Sequence, residues 1–437
     1  MTNSIAQVRS VYYGWWLAII AGFIMIITSV PIFHAMTVWA VVMEAHFGWS
    51  RVQLGFALSL TRVEGSISGP VAGYLTDKFG ARIMVLTGLL ILAAGFFLFS
   101  QVQNLWMFYL AFFIMSLGNG QGGWLPMMTL MNNWFSRRLS TAMAITMTGM
   151  GLGALVLVPA IAWAVDPDQD RLGWRLTAGI LGGVILASAV ILPKFIRNKP
   201  QDYGLLPDGD RPGVARRSTA QVGSNRTGRE TVEIEFTTSQ ALKTPAFWFI
   251  SFGHGFGSMV VLGIFAHLGL LMVEDLGFSV QQAAWIFSVY TAVAMVFQML
   301  GGFLGDRIPK NVALFIFTAI QASAVIILAT ATSLFDLYLF AIIFGVGFGG
   351  RNPLTTAIRG EYFGRASFGK ILGISTVPMN ILLLISSPLA GYMRDVQGSY
   401  EGAFITLAIL NFIGAGLFLL CKKPKPPTPT KQPQAAS

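Results

Sequence analysis

Long apolar stretches separated by short polar segments occupy almost the whole chain. Twelve of them hold roughly 20 residues, about the length that an α-helix needs to cross the ~30 Å hydrocarbon layer of a bilayer. They lie near 12–40, 52–75, 83–101, 105–131, 139–165 and 175–194, and then near 246–272, 281–304, 311–331, 337–361, 369–392 and 402–421. Because a helix satisfies its own backbone hydrogen bonds, this pattern predicts an all-α membrane protein with twelve transmembrane helices.

An internal repeat relates the first six helices to the last six. Gly73-Tyr-Leu-Thr-Asp77 closes the second stretch and Gly302-Phe-Leu-Gly-Asp306 closes the eighth, at an offset of 229 residues. Gly118–Pro126 and Gly345–Pro353, in the fourth and tenth stretches, match at nearly the same offset. Six crossings return the chain to the same side of the membrane, so the two repeats are parallel and an axis along the membrane normal relates them. The sequence therefore predicts two six-helix bundles.

Polar residues concentrate in one internal segment and at the C-terminus. Residues 195–243 are rich in Pro, Gly, Arg and Asp, which predicts a cytoplasmic linker between an N-terminal bundle at 1–194 and a C-terminal bundle at 244–421, followed by a tail at 422–437. Most Lys and Arg residues fall in segments on one side of the membrane, and the positive-inside rule places that side, with both termini, in the cytoplasm. We expect a multi-pass protein of the plasma membrane, the inner membrane of a bacterium.

The composition excludes several classes of function. Charged residues make up 11% of the chain and hydrophobic residues 54%, against about 25% charged residues in a soluble domain. The net charge of +10 is divided among short clusters between the apolar stretches, which argues against a nucleic-acid partner. Cys421 is the single cysteine, the four histidines lack metal-ligand spacing, and there is no glycine-rich phosphate loop. We expect no catalytic residue, no metal site and no cofactor, and hence no enzyme.

The hairpin after the second stretch carries a charged, glycine-rich motif. It reads Gly73-Tyr-Leu-Thr-Asp77-Lys78-Phe-Gly80-Ala-Arg82, and a degenerate copy runs from Gly302 to Lys310. The motif resembles the Gly-x-Leu-x-Asp-Lys/Arg-x-Gly-x-Arg motif of the major facilitator superfamily, and the resemblance to that superfamily covers nearly the whole chain. It implies two bundles around a central cavity that opens to each side in turn. It also implies that the motif serves the conformational switch, through Gly73, Asp77, Lys78, Gly80, Arg82, Asp306 and Arg307.

Three further segments resemble one branch of that superfamily, the monocarboxylate porters and oxalate/formate antiporters. They are Tyr13–Trp16, Asn133–Arg138 and Lys199–Gly209. Porters of this branch usually carry an arginine in the eighth helix, eight residues before the motif aspartate, where this chain has Gln298. The oxalate antiporters also use a lysine in the eleventh helix, and the interior of that stretch here has neither lysine nor arginine. The resemblance implies a small organic anion as the substrate, while these departures disfavour oxalate.

Two arginines and one acid lie deep inside predicted helices. Arg351 falls near the middle of the tenth helix, and Arg62 and Glu64 fall in the second. A charge at this depth is costly, so such residues usually face a cavity or a partner. Arg351 and Arg62 are candidate sites for a substrate anion, with a structural pairing as the alternative for each. Glu64 is a candidate proton-coupling group, because a buried carboxylate can bind a proton near neutral pH. A structural ion pair is its alternative.

Four other side chains complete the candidate substrate site. Trp124 occupies the repeat position of Arg351 and could form an aromatic wall of the cavity. Gln298, His34 and His254 lie in helices that line the cavity in the superfamily. Packing without any contact to substrate is the alternative for Trp124 and the histidines.

These observations predict a secondary transporter that moves a small organic anion, a carboxylate, by alternating access driven by a proton or solute gradient. The expected partners are the anionic substrate, protons and the lipid bilayer, and the expected oligomeric state is a monomer. Two alternatives stay open. One is a proton-coupled efflux pump for amphipathic compounds, and the other is a non-transporting membrane sensor built on the same scaffold.

Overall fold

The computed structural model describes residues 12–166, 171–210 and 235–425. Within the helix that begins at Arg51, most side chains between residues 51 and 67 lie outside the description, including those of Arg62 and Glu64. All regular secondary structure in the described residues is helical.

Six membrane-crossing segments form the N half. Span 1 consists of Tyr13–Ser29 and Met36–Phe47, joined by a π-helical turn at Val30–His34. Spans 2 and 3 are the two arms of the long helix Arg51–Ser100. Span 4 consists of Leu105–Gly122 and Trp124–Trp134, and spans 5 and 6 are Leu139–Val165 and Gly173–Ile191. The arms of Arg51–Ser100 meet at Gly80, whose φ of 82° lies in the left-handed region that glycine adopts without strain.

Six more segments form the C half. Spans 7 to 10 are Pro245–Phe265, Val280–Gly305, Lys310–Ala329 and Leu334–Phe363, span 11 is divided at Thr376 into Phe368–Ser375 and Val377–Gln397, and span 12 is Glu401–Leu420. Short helices flank the gap between the halves at Leu192–Phe195, Gln201–Tyr203, Pro207–Gly209 and Thr238–Leu242. We call the side of the membrane that holds these short helices the linker side.

Ten helical segments of the described chain are long and apolar enough to cross a membrane. Spans 2 and 3 are included as one segment, because the helix Arg51–Ser100 is continuous through the bend at Gly80. Span 4 is not among the ten, because the break at Gly123 divides it into two shorter helices. The prediction of twelve transmembrane helices in two bundles is confirmed.

The internal repeat is visible in the local structure. Ser50 and Ser279 begin spans 2 and 8, and each closes a capping box with the glutamine three residues later. Gly48 and Gly277, just before them, have φ values of 69° and 70°. The same turn and cap therefore start both helices, 229 residues apart.

The apolar core differs between the halves. One continuous cluster fills the N half, from Leu17 in span 1 to Ala189 in span 6, and it includes Phe368 and Leu372 of span 11. The C half has two clusters, one on the linker side that includes Phe247 and one farther from it that includes Phe344. Buried polar side chains lie between these two clusters, on the same helices: His254, Gln321, Arg351 and Asn411.

Candidate functional site

The two halves touch on the linker side through two equivalent pairs of helices. Span 2 packs against the first segment of span 11, and span 8 packs against span 5. Glycines permit these contacts. A side chain at Gly73 would collide with the carbonyl of Gly369, and a Cβ at Gly302 would lie 2.8 Å from the carbonyl oxygen of Ser140. Only glycine at these positions lets the halves close on this side.

The motif aspartate of span 2 binds the other half. Asp77 accepts hydrogen bonds from the backbone N–H groups of Gly369 and Lys370, at 2.8 and 2.9 Å. These are N–H groups of the first turn of span 11, which have no partner inside their own helix. A carboxylate at this place also interacts favourably with the helix dipole.

The second copy of the motif makes the same contact in the opposite direction. Asp306 of span 8 accepts hydrogen bonds from the backbone N–H groups of Ser140 and Thr141, at 2.9 and 3.0 Å, and from the Thr141 hydroxyl at 2.6 Å. Ser140 and Thr141 precede Gly369 and Lys370 by 229 residues, the offset that separates Asp77 from Asp306. We call these two carboxylates, with the helix ends that they bind, the latch.

The other motif residues lie around the latch. Lys78 is exposed, with its Nζ 5.2 Å from the centre of the Phe79 ring. The Arg82 backbone N–H donates to the Oδ1 atom of Asn198, at 3.0 Å. Arg307 is exposed and lies over the ring of Phe303. The motif cations therefore stay on the linker-side surface.

The three segments that resemble the monocarboxylate branch meet in one cluster. The rings of Tyr13 and Trp134 lie 5.7 Å apart. Just before the third segment, the carbonyl of Phe195 accepts from the Tyr13 hydroxyl at 2.9 Å, and the carbonyl of Arg197 accepts from the Trp134 indole N–H at 2.8 Å. Asp208 accepts a hydrogen bond from the backbone N–H of Arg137 at 2.9 Å. These contacts bind the first part of the linker to the N half, next to the latch.

A cavity of about 230 Å³ lies between the halves, above the latch. Spans 1, 2 and 4 of the N half line it together with span 11 of the C half. Trp124 forms part of the wall, because the helix break at Gly123 starts a new helix at this residue. The described polar side chains on the wall are uncharged and belong to Ser68, Ser116, Asn119, Thr376 and Asn380.

A second cavity of about 270 Å³ adjoins the first and shares Met379 with it. Spans 7, 10 and 11 line it, with Ser258 and Phe348 among its wall residues. Arg351 lies directly behind this wall, with its Cζ atom 5.5 Å from the centre of the Phe348 ring. A Cβ at Gly257 would lie 2.8 Å from the same Cζ atom, so this glycine makes room for the guanidinium.

Arg351 is covered in this conformation, with 1% of its surface exposed. Its Nε–H donates to Oε1 of Gln321 at 2.6 Å, and the amide of Gln321 donates in turn to the carbonyl of Gly257. Among the described residues no carboxylate pairs with Arg351. The structure therefore places this charge one side chain behind the cavity surface.

Gln298 connects the halves. Its amide N–H donates to the Thr148 hydroxyl of span 5 at 2.9 Å, and its Oε1 atom accepts from the Asn352 amide of span 10 at 2.9 Å. The position where the related porters usually carry an arginine is thus occupied by a neutral side chain with partners in both halves.

His254 and Arg359 form a contact that the sequence did not reveal. Arg359 is 1% exposed, and one of its terminal nitrogens lies 3.3 Å from Nδ1 of His254. Its Nε–H donates to the Ser375 hydroxyl at 2.7 Å, and its guanidinium also donates to the carbonyl of Thr355. Arg359 falls near the end of a predicted helix, where an arginine is ordinarily a surface residue, so the sequence contained no signal for its burial.

The remaining candidates are not brought together by the described structure. His34 ends the π-helical turn of span 1 and is exposed. The side chains of Arg62 and Glu64 lie outside the described residues, although Gly65, which follows them, lines the cavity between the halves. Within the described chain no group of three or more His, Cys, Asp or Glu side chains could hold a metal ion.

Comparisons with known proteins agree with the fold and the motif. The profile of the Major Facilitator Superfamily matches residues 15–279 and 247–437. The chain is 24% identical to monocarboxylate transporter 13 of Bos taurus, covering 93% of this chain and 89% of that protein, and 26% identical to monocarboxylate transporter 2 of Mus musculus, covering 93% and 84%.

A variant of the E. coli fucose:proton symporter FucP has the same fold, with a TM-score of 0.68 at 14% identity over 94% of this chain and all of that one. The matched profile spans both halves, and the matched proteins are transporters and not enzymes. The chain therefore belongs to the major facilitator superfamily of membrane transporters.

Proposed function

We propose that the protein is a secondary transporter for small organic carboxylates. One observation carries this proposal. Span 10 holds two arginines, Arg351 and Arg359, that are each 1% exposed and pair with no carboxylate of the described residues. A buried charge without a counter-ion is costly, and a membrane protein that retains two of them, one directly behind a cavity wall, is suited to bind an anion.

The surroundings of Arg351 fit this role. A guanidinium presents a planar fork that matches the two oxygens of a carboxylate. The Nε–H group already bonds Gln321, and the two terminal nitrogens can offer such a pair of N–H groups to a carboxylate. A rotation of the Phe348 ring would connect Arg351 with the cavity. The names of the related monocarboxylate transporters support a carboxylate substrate. The resemblance to their branch also implies an arginine at the position where this chain has Gln298.

We further propose that the linker side is cytoplasmic and that the membrane is the inner membrane of a bacterium, with the protein acting as a monomer. The excess of Lys and Arg on the linker side supports this orientation. The described structure is closed at the latch, so the central cavity would then face outward. Opening requires that Asp77 and Asp306 release the helix ends that they bind, which gives the latch its role in alternating access.

Two sources of energy are compatible with this geometry, a proton gradient and an exchanged anion. Glu64 and Arg62 stay candidates for proton coupling and for anion binding in the N half. An efflux pump for amphipathic compounds is the alternative substrate class. Its cavity would be expected to be apolar, whereas hydroxyls and amides line the cavity between these halves.

The test is uptake by the purified protein in liposomes. Labelled acetate, lactate and succinate are compared with a neutral sugar and with an amphipathic cation, with and without a pH gradient. We expect uptake of at least one carboxylate and of neither control compound. Transport of the amphipathic cation alone would favour the efflux pump.

The same assay tests Arg351. The loss of a hydrogen bond to a charged group removes about 1.5–3 kcal/mol, so Arg351→Gln should weaken carboxylate binding roughly ten- to hundredfold. Arg351→Lys should be nearly as weak, because an ammonium group lacks the planar fork. Arg175→Gln is the matched control, since this arginine bonds the carbonyls of Ser100 and Val102 at the far end of span 3 and lies over the ring of Trp174, away from both cavities. A folded Arg351→Gln protein with wild-type affinity would contradict the role of Arg351.

A further inference from the structure

A layer of buried polar side chains divides the core of the C half. His254 of span 7, Gln321 of span 9, Arg351 of span 10 and Asn411 of span 12 are each at most 8% exposed, and they lie between two apolar clusters. Both polar atoms of Asn411 are buried without a hydrogen-bond partner among the described residues. Such a layer costs stability, so its retention indicates a function within the C half.

The contact between His254 and Arg359 fixes the protonation of the imidazole. Arginine can only donate hydrogen bonds, so the Nδ1 atom that receives its N–H must be unprotonated. The neutral ring then carries its proton on Nε2. A proton arriving at Nδ1 and the guanidinium of Arg359 compete for the same lone pair, and only one of them can occupy it.

No acid relieves this competition within the described structure. The charged groups that act on His254 are Arg359 and Arg351, both from span 10. Spans 11 and 12 also pack against span 7, and their charged residues lie only near their ends: Lys370, Arg394, Asp395 and Glu401. An anion that enters the C half is therefore the group that can draw Arg359 away from His254.

We propose that His254 is the proton-binding site of the transport cycle and that Arg359 makes the binding of a proton and an organic anion mutually dependent. A carboxylate that binds the Arg359 guanidinium frees Nδ1, which then takes up a proton (as hydronium) from the aqueous compartment to which the protein is open. A proton on Nδ1 displaces the guanidinium, which then binds the carboxylate. Thermodynamic linkage makes the two effects equal. The inference rests on the proposed transport of organic anions.

The position of Arg359 connects this site with the latch. Its Nε–H bonds the hydroxyl of Ser375, the last residue of the first segment of span 11. Asp77 binds the beginning of that segment, and Thr376, just after it, lines the cavity between the halves. When the guanidinium moves from His254 to an anion, its bond to Ser375 transmits the movement to the first segment of span 11. This segment belongs to the closed contact between the halves.

The first experiment compares variants in liposomes with labelled acetate, lactate and succinate as probes. A proton gradient of one pH unit can drive about a tenfold accumulation when one proton moves with each anion. We expect this stimulation in the wild type and its loss in His254→Gln, whose amide oxygen still accepts from Arg359, while counterflow exchange continues. His267→Gln is the control, because His267 bonds Tyr400 and Ser387 at the opposite end of span 7.

Glu64→Gln is measured beside these variants. Glu64 is the other candidate for proton coupling, so this variant shows which of the two residues the stimulation depends on. The inference is overturned if His254→Gln keeps the full stimulation, or if Glu64→Gln loses it while His254→Gln does not. If no carboxylate enters the wild-type liposomes at all, the proposed function itself fails, which separates the two failures.

A second experiment needs no variant. The chain has only four histidines, so nitrogen-15 NMR of histidine-labelled protein in nanodiscs resolves each ring. We expect an unprotonated Nδ1 at His254 in the free protein at pH 7, and a protonated Nδ1 when a transported probe is added to saturation. An unchanged His254 signal in the presence of a carboxylate that the protein transports would overturn the inference.

Discussion

Trp124 in the N half and Arg351 in the C half occupy equivalent positions of the repeat, yet their surroundings differ. In the N half span 4 breaks at Gly123, and Trp124 forms part of the cavity wall beside neutral hydroxyls and amides. In the C half span 10 continues through Arg351 without a break, and the guanidinium is buried against Gln321. The repeated helices thus give one half an aromatic wall and the other half a buried charge.

The latch, in contrast, has the same geometry in both copies of the repeat. Asp77 and Asp306 bind the first-turn N–H groups of span 11 and span 5 with nearly identical distances. The backbone supplies these partners, and the repeat preserves them even where the side chains differ. We infer that the shared latch controls the rate of conformational change and that the unequal interiors control binding.

The largest effect is expected for Gly73→Val. The new side chain would collide with the backbone of Gly369, so the halves could not close on the linker side. Overpacking of this kind costs about 1–3 kcal/mol where the structure can adjust, and here it should reduce uptake more than about hundredfold. Gly179→Val is the control, because a Cβ at Gly179 meets nothing within 4 Å. Normal uptake by Gly73→Val would show that this contact is not needed for the cycle.

Asp77→Asn and Asp306→Asn should each slow transport about tenfold, because an amide retains only one acceptor and loses a charge-assisted bond. Substrate affinity in detergent should stay within about threefold of the wild type, since the latch lies outside both cavities. Turnover and equilibrium binding are measured on the same preparations. A strong loss of binding, or an effect at only one of the two aspartates, would refute the equivalence of the two contacts.

Trp124→Phe should weaken substrate binding only about threefold, since an aromatic face remains on the wall and part of its contact area is lost. The comparison with Arg351→Gln is the informative result. If Trp124→Phe weakens binding as much as Arg351→Gln, then the neutral half contributes as much to recognition as the charged one. Binding of labelled carboxylate to both variants decides this.

The smallest effect is expected for Thr148→Val. This change removes the hydroxyl that accepts a bond from Gln298 across the two halves, and leaves the bond between Gln298 and Asn352. One neutral hydrogen bond contributes about 1 kcal/mol, so turnover should change no more than about fivefold and affinity should not change. An affinity loss would mean that Gln298 touches the substrate and does not only connect the halves.

The motif residues and the buried position of Arg351 could be predicted, because they depend on spacings within a single helix or hairpin. The motif residues Gly73 to Arg82, their second copy at Asp306, and the depth of Arg351 can all be read along one helix or hairpin. The roles of Arg62 and Glu64 stay predictions, as their side chains lie outside the described residues. Arg359 could not be found in this way, since its burial depends on His254 and Ser375, which come from other spans.

The sequence by itself determined that the helices lie in a lipid bilayer, how many helices there are, and that the two halves repeat. Hydropathy over about 20 residues and an offset shared by several segments are local properties, and lipid allows few structures other than helices. Only the tertiary structure decided which group each charge meets. Asp77 lies 292 residues before its partner Gly369, and Arg359 lies 105 residues after His254. Such pairs form because packed helices bring distant residues together, and no pattern along the chain records which faces will meet.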